Sequence, residues 1–304
     1  MSDPRVSVIV CTYKREQTLC WTISDILAQA YRDFELIIVD QTPQHEPETD
    51  AFLRAHADHL KLIRLEVANL PNARNCGIEA AWGDIVVCVD DDIRLGPELL
   101  GQLVTHFADP AVDAIAPVVV DNRGLEVAMA EYCRKYNRKI ESRTGPLLPA
   151  REVIGACMAI RRSVILDIGG FDAKLGELHR SASGEDLDFF RRASRRGYCT
   201  FVDPASTVLH LTWTPGGCDV RMDDPVEIRR AQLRALVYIM RKEDDRHNRS
   251  WLWTWVRLVR FFLAHRDVVR MGVIGFYRRI NEMCEAVKYV HAFIKPASID
   301  RNES

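Results

Sequence analysis

Apolar runs of strand length recur through the first third of the chain: VSVIVC (6–11), FELIIVD (34–40), LKLIRLE (60–66) and DIVVCVD (84–90). Between them, CWTISDILAQAY (20–31) sets Ile23, Ile26, Leu27 and Ala30 at helical spacing, and NARNCGIEAAWG (72–83) reads as a helix stopped by Gly83. Strands that are apolar on both faces must be covered on both faces, and with helices between them that means a parallel sheet. Ligands of such sheets bind outside the carboxyl ends of the strands. The pattern therefore predicts an α/β fold and nominates the residues that follow each strand.

Composition narrows the class. With 304 residues, 47% of them hydrophobic and 28% charged, the chain can bury a large core and carry one large domain with an appendage, or two domains. A net charge of −2 provides no general attraction for polyanions, and no nucleic-acid motif is present, so nucleic acid is not an expected partner. The 9 cysteines show no CxxC pair, and an odd number fits a closed disulfide framework poorly, which points to a reducing compartment. The start MSDPRVSVIVCTYKRE lacks a secretory signal pattern, and no uncharged apolar segment approaches the ~20 residues of a membrane span. The expected location is the cytoplasm, at most at the inner face of the membrane.

The strand-end rule gathers Thr12, Tyr13 and Arg15 after the first run, Asp40 at the end of the second, and Asp90, Asp91 and Asp92 after the fourth. Two carboxylates about 4 Å apart repel by roughly 4 kcal/mol at an effective dielectric of about 20, so three in a row need a reason to sit together, such as a cation. If the strand stays extended, Asp90 and Asp92 share one face and Asp91 takes the other. Two such carboxylates make a hard-oxygen site for Mg²⁺ or Mn²⁺. The alternative is a solvated turn, or acids capping a helix that begins between Ile93 and Leu100.

Further along, GEDLDFF places Glu185, Asp186 and Asp188 at the start of a helix whose apolar side carries Phe189, Phe190 and Ala193. Such acids either serve as a general base or simply complement the helix macrodipole. His210, in STVLHLTW after another strand, is either a ligand or a satisfied histidine. The segment TPGGCDVRMDD (214–224), with Pro215, Gly216 and Gly217, suits a loop that closes over a ligand. Residues 121–152 read as irregular and contain the basic stretch RKYNRK, which suits a phosphate-linked acceptor or a solvated helix face. In VIGACMAIRRSVILDIGGFD, Gly155 permits a close approach, and Gly169 and Gly170 form a turn. Residues 251–280 interleave Trp, Phe and Leu with Arg, as an interfacial membrane helix does; packing on the catalytic part, or a homodimer contact, are the other readings.

Taken in order, VSVIVCTYKRE, FELIIVDQT, NARNCGIEAAWGDIVVCVDDD and GEDLDFFRRASRRGY resemble the family 2 glycosyltransferases of the GT-A fold, over residues 5–212. The resemblance implies a nucleotide-diphospho-sugar transferase fold: a mostly parallel central sheet flanked by helices, with a C-terminal helical appendage. It implies a donor-binding half at 1–110, an acceptor and catalytic half at 111–224, and a helical region at 225–304. Cys11, Thr12, Tyr13 and Arg15 would lie along the nucleoside, Asp40 would read the base, Arg74 of the ARN triplet would sit near the phosphates, and Asp90 and Asp91 would face the ribose. Asp92 would be the direct metal ligand for Mn²⁺ or Mg²⁺, joined by His210. Asp186 would be the catalytic base and Glu185 would bind sugar hydroxyls, or Glu185 would itself be the base. The family often has Pro or Thr at Cys11 and VDD where this chain has Asp40-Gln41. The implied function is inverting, metal-dependent transfer of a sugar from a nucleoside-diphosphate donor, UDP-sugar first, to a glycan or lipid-linked acceptor. A silent nucleotide-sugar-binding protein and a sugar-phosphate nucleotidyltransferase are the alternatives; the latter's glycine-rich N-terminal loop has no counterpart in VIVCTYKRE.

Overall fold

A computed structural model describes residues 5–121, 147–150, 153–178, 184–211, 217, 225–263 and 272–294. The strands are β1 (Val6–Thr12), β2 (Phe34–Asp40), β3 (Lys61–Arg64), β4 (Ile85–Asp90), β5 (Ile93–Leu95), β6 (Ala114–Asp121), β7 (Leu148–Ala150), β8 (Cys157–Arg161) and β9 (Thr200–His210). The helices are α1 (Gln17–Leu27), α2 (Pro47–Ala55), α3 (Leu70–Ala80), α4 (Leu99–Thr105), α5 (Arg162–Ile168), α6 (Lys174–Glu177), α7 (Glu185–Arg195), α8 (Pro225–Arg246), α9 (Trp251–Leu263) and α10 (Gly272–Ile294).

One sheet runs in the order β3-β2-β1-β4-β8-β6-β9-β5, with β7 added on β9. The first part is parallel throughout, as the apolar runs predict. The second part is mixed: β8 is antiparallel to both β4 and β6, β6 is parallel to β9, and β5 and β7 run antiparallel to β9.

Period-2 alternation divides the strand side chains between two cores. Val6, Val8, Val10, Leu36, Ile38, Val87 and Val89 face one core with Leu19, Ile23 and Ile26 of α1 and Leu99, Leu100 and Leu103 of α4. Ile9, Ile37, Val39, Val86 and Cys88 face the other, with Ala73 and Ile78 of α3, Ile165 of α5, and Phe189 and Phe190 of α7. Fully burying each Val, Leu, Ile or Phe is worth about 1.5–3 kcal/mol, so both layers are needed to hold the sheet. A third core joins Leu175 and Leu178, around α6, to Ala235, Val237 and Ile239 of α8, Leu258 of α9 and Met283 and Val290 of α10. The C-terminal helices therefore pack against the α6 region of the sheet-bearing part.

Local boundaries differ from the sequence pattern in instructive places. The helix expected over 72–83 ends at Ala80 and begins after Asn69, whose side chain accepts from the Asn72 amide at 3.1 Å. Gly83 is not its stop: a Cβ there would lie 2.5 Å from the Ser7 backbone nitrogen, so the glycine exists for close passage against β1. Ile93 starts β5, and the helix that does follow, α4, begins at Leu99 behind Glu98, so the aspartates do not cap a helix. Gly169 and Gly170 do turn the chain, with φ of 83° and 72°, and both amides donate to the Ile165 carbonyl in closing α5.

Candidate active site

The strand order decides what meets at the edge. Because β8 runs against β4, its leading residues reach the carboxyl end of β4, and the Asp90 amide donates to the Ala156 carbonyl at 2.9 Å. Because β6 and β9 run with β4, His210 at the end of β9 arrives at the same edge. There it pairs with Ile93 of β5, just past the three aspartates. Residues far apart in sequence, namely 11–15, 40, 74, 90–92, 155, 185–186 and 210, are thereby collected along one rim.

The strand ends at Asp90 and the chain turns at once, so the expected alternation fails: Asp91 and Asp92 share a partner and Asp90 has a different one. Arg15 lies between Asp91 and Asp92, with Nε 3.4 Å from Asp91 Oδ1 and an NH2 bond of 2.9 Å to Asp92 Oδ2. The other Asp92 oxygen, Oδ1, is 3.2 Å from His210 Nε2. Burial, and then the charge of Asp92, raise the Asp91 pKa against the pull of Arg15. The Gly217 amide donates to the Tyr13 carbonyl at 2.7 Å, and a Cβ at Gly217 would lie 2.8 Å from Arg15. The rest of the 214–224 segment, apart from Gly217, lies outside the described residues, as does RKYNRK.

Arg74 is not a surface arginine. It is buried, with NH1 2.8 Å from Glu185 Oε1, NH2 3.1 Å from Asp90 Oδ1 and NH2 3.1 Å from the Gly155 carbonyl, and its guanidinium packs over the Phe171 ring. Burial would lower its pKa; the charges of Glu185 and Asp90 hold it raised. The guanidinium thus joins the acids after β4 to those that open α7. A Cβ at Gly155 would sit 3.2 Å from Arg74 and 3.3 Å from Asp186 Cβ, which is the close approach the sequence predicts there.

Asp186, half-buried, accepts from the Gly155 amide at 2.9 Å through Oδ2 and from the Leu187 amide at 2.7 Å through Oδ1. Burial, and then the neighbouring Glu185 charge, push its pKa up to about 7 despite these bonds. A carboxylate that changes protonation near neutrality is suited to accept a proton in a reaction.

Asp40 is deeply engaged. Its Oδ1 accepts from the Thr42 amide at 2.8 Å, and its Oδ2 lies 3.2 Å from His45 Nε2 and 3.3 Å from Arg64 NH1. Its side chain is 0% exposed, whereas that of its partner Arg64 is 50% exposed. His45, absent from the sequence reading, stands between Asp40 and Glu16, with Nδ1 3.1 Å from Glu16 Oε2. Burial would lower the His45 pKa, but the Asp40 bond and charge, and then those of Glu16, raise it; Asp40 is lowered in turn. A histidine five residues beyond a strand-end aspartate was the available signal. Cys11 and Thr12 are buried at the end of β1, where the Thr12 carbonyl accepts from the Gln41 amide at 2.9 Å; Tyr13 is half-buried. Among the described residues, no group of three or more His, Cys, Asp and Glu side chains converges on one point.

A sheet with acids and a buried arginine gathered at the carboxyl ends of its strands is the scaffold of an α/β enzyme that binds its ligand there. A profile of the family described as Glycosyl transferase family 2 matches residues 7–169, more than half of the chain, and the chain belongs to that family. It is 31% identical over 194 residues to the pre-mycofactocin glycosyltransferase of Mycobacterium tuberculosis, covering 60% of this chain and 39% of that protein. It is 29% identical over 188 residues to the glucosyl-dolichyl phosphate glucuronosyltransferase of Haloferax volcanii, covering 57% of each. The chain thus spans less than two thirds of the length of these relatives. Among solved structures, the mannosyltransferase PcManGT from Pyrobaculum calidifontis in complex with GDP-Man and Mn²⁺ superposes with a TM-score of 0.59 at 19% identity, covering 96% of this chain and 87% of that one. GalNAc-T7 with UDP, GalNAc and Mn²⁺ also gives 0.59, at 17% identity, over 78% of this chain and 48% of that one. These likenesses establish the GT-A fold.

Proposed function

We propose that the protein is an inverting glycosyltransferase that moves a sugar from a nucleoside-diphosphate donor, UDP-sugar first, to a hydroxyl of a glycan or lipid-linked acceptor. The observation that carries the reading is Asp186, whose pKa is pushed up to about 7 and whose helix is tied through Glu185 and Arg74 to the acids after β4. In this reading residues 1–110 hold the donor, 111–224 supply the acceptor wall and the base, and 225–304 support them. The nucleoside lies across the ends of β1 and β2, along Cys11, Thr12, Tyr13 and Arg15. Its base meets Asp40, a carboxylate able to accept the imide N–H of uracil, once half-exposed Arg64 moves aside. The ribose faces Asp90 and Asp91, and Arg74 lies near the phosphates.

The residues present fit a divalent ion. Asp92 and His210, whose Oδ1 and Nε2 lie 3.2 Å apart, would hold it. The Asp92 carboxylate is a hard oxygen suited to Mn²⁺ or Mg²⁺, to which His210 would add an imidazole nitrogen. When bound, such an ion neutralises charge on the departing diphosphate. The protein's own groups do the rest. Asp186 takes the proton of the acceptor hydroxyl as its oxygen bonds to the anomeric carbon, and the carbon–oxygen bond to the diphosphate breaks with its electron pair. Attack opposite the leaving group inverts the centre. Glu185 binds sugar hydroxyls beside it.

The proposed setting is the inner face of a membrane. On α9, Leu252 (69% exposed), Trp253 (53%), Val256 and Phe261 (53%) are uncovered beside exposed Arg260, and 251–263 contains no acidic residue. Aromatic and aliphatic side chains with arginines complement an anionic lipid surface. No helix among the described residues is long and apolar enough to cross a membrane.

The test is a thermal-shift screen of UDP, GDP, dTDP and CDP with and without Mn²⁺, because a ligand that binds only the folded state raises its stability. UDP with Mn²⁺ gives the largest shift. No metal dependence with any nucleotide favours a silent binding protein instead.

A further inference from the structure

The C-terminal helices grip the chain on both sides of the segment that leads to the proposed base. On α8, Ala235, Tyr238, Ile239 and Lys242 repeat at the three- and four-residue spacing of one helix face. That face lies against the start of α7. Gly184, with φ of 86°, immediately precedes Glu185, and a Cβ there would come 3.3 Å from Ile239 Cδ1 and 3.5 Å from Ala235 Cβ. On the other side, the Tyr289 hydroxyl of α10 donates to the Leu178 carbonyl at 3.0 Å.

Lys242 closes the unit. Its ammonium donates to Asp172, just after the Gly169-Gly170 turn, and to both oxygens of Asp188 in the first turn of α7, at 3.2 and 3.1 Å. Asp188 Oδ2 also accepts from Arg192 Nε at 2.7 Å, and Arg192 in turn reaches the carbonyls of Ile168 at 3.0 Å and Gly170 at 2.7 Å. The Tyr238 hydroxyl donates to Asp172 at 3.2 Å. The ammonium therefore separates two carboxylates from different elements, which repel each other without it. Asp186 lies two residues before Asp188, and its bonds are to the amides of Gly155 and Leu187, so the placement of α7 sets whether its carboxylate reaches Gly155.

We infer that Lys242 is a positioning residue for Asp186, fixing α7 from the C-terminal helical region so that the carboxylate stays at the Gly155 amide. The inference rests on the reading of Asp186 as the base, where a displacement of about 1 Å can cost on the order of 10² in rate.

Amide hydrogen exchange on the full chain tests it in wild type, Lys242→Met and Lys242→Arg, because exchange reports local opening segment by segment. In Lys242→Met, exchange over 153–157 and 184–190 rises about tenfold or more while 34–40 and 85–90 stay unchanged; Lys242→Arg, which keeps the charge and donors, remains near wild type. A purely local role in α8 loosens 225–246 and leaves 153–157 alone, and that result, or a folded Lys242→Met that exchanges as wild type, overturns the inference. Should Lys242→Met fail to fold, Ile239→Ala opens the contact with Gly184 without changing charge; it raises exchange in the same two segments, and no rise there overturns the inference equally. Turnover by Asp186→Asn is read separately. Its persistence removes Asp186 as the base, whereas the exchange result stands or falls on positioning alone.

Discussion

The acids after β4 and those that open α7 meet through a single arginine, yet they are held in opposite ways. Asp91 and Asp92 sit in a turn with Arg15, and Asp92 also meets His210, while Asp90 pairs with Arg74. Asp186 is held by backbone amides and has Glu185 as its charged neighbour. Even beside those partners, burial raises the pKa of both Asp90 and Asp91 in the first cluster. The second keeps a group whose charge changes near neutral pH, as a base must. Burial raises acids in both clusters; the arginines beside Asp90 and Asp91 and the amides on Asp186 each pull the other way without cancelling it.

The strongest way to break that comparison is Asp186→Asn. Turnover falls by about 10²–10⁴ while the nucleotide thermal shift remains, and full turnover would assign the base elsewhere. Asp92→Ala strikes the other cluster: the Mn²⁺-dependent part of the nucleotide shift disappears, and its retention moves the metal away from Asp92. Arg74→Met, measured by urea unfolding, costs about 3–5 kcal/mol because it leaves Glu185 and Asp90 without their shared cation; a loss below 1 kcal/mol sinks the idea that this arginine joins the clusters.

A pH profile of turnover tests the base directly. Asp186 is raised to about 7, so its basic form is lost as pH falls through that value, and kcat drops about tenfold per unit below it. A profile flat between pH 5 and 8 contradicts a base of this pKa. The smallest effect belongs to the exposed face of α9. Leu252→Ser with Trp253→Ser changes stability by less than about 0.5 kcal/mol but removes sedimentation with anionic phospholipid vesicles; loss of a dimer instead points to a second copy as the occupant.

Much of this was readable because it is local. The runs ending at Cys11, Asp40 and Asp90 carry apolar side chains on both faces, and only strands covered on both sides accommodate them. Phe189, Phe190 and Ala193 fix which side of α7 is buried, and hence which acids open it. The strand-end rule placed Arg15 and Asp92 at one rim without any knowledge of their contacts, whereas His210 joined them only through the family resemblance. Two local readings failed. Gly83 resembled a helix stop, but its need is set by the passing backbone of β1. The period-2 assignment of Asp90 and Asp92 to one face assumed a strand that ends at Asp90.

Legible from the chain alone are the parallel first part of the sheet, the residues at its strand ends and the acid-rich start of α7, because each depends on periodicity within a few residues. The tertiary structure alone decided the antiparallel insertion of β8, the pairing of Arg74 with both Asp90 and Glu185, the burial of Asp40 under His45 and Arg64, and the reach of Lys242 to Asp172 and Asp188. These join segments from 5 to 111 residues apart, and such contacts are selected by how the whole chain closes on itself, where a charged side chain settles beside whichever counter-charge packing brings within reach.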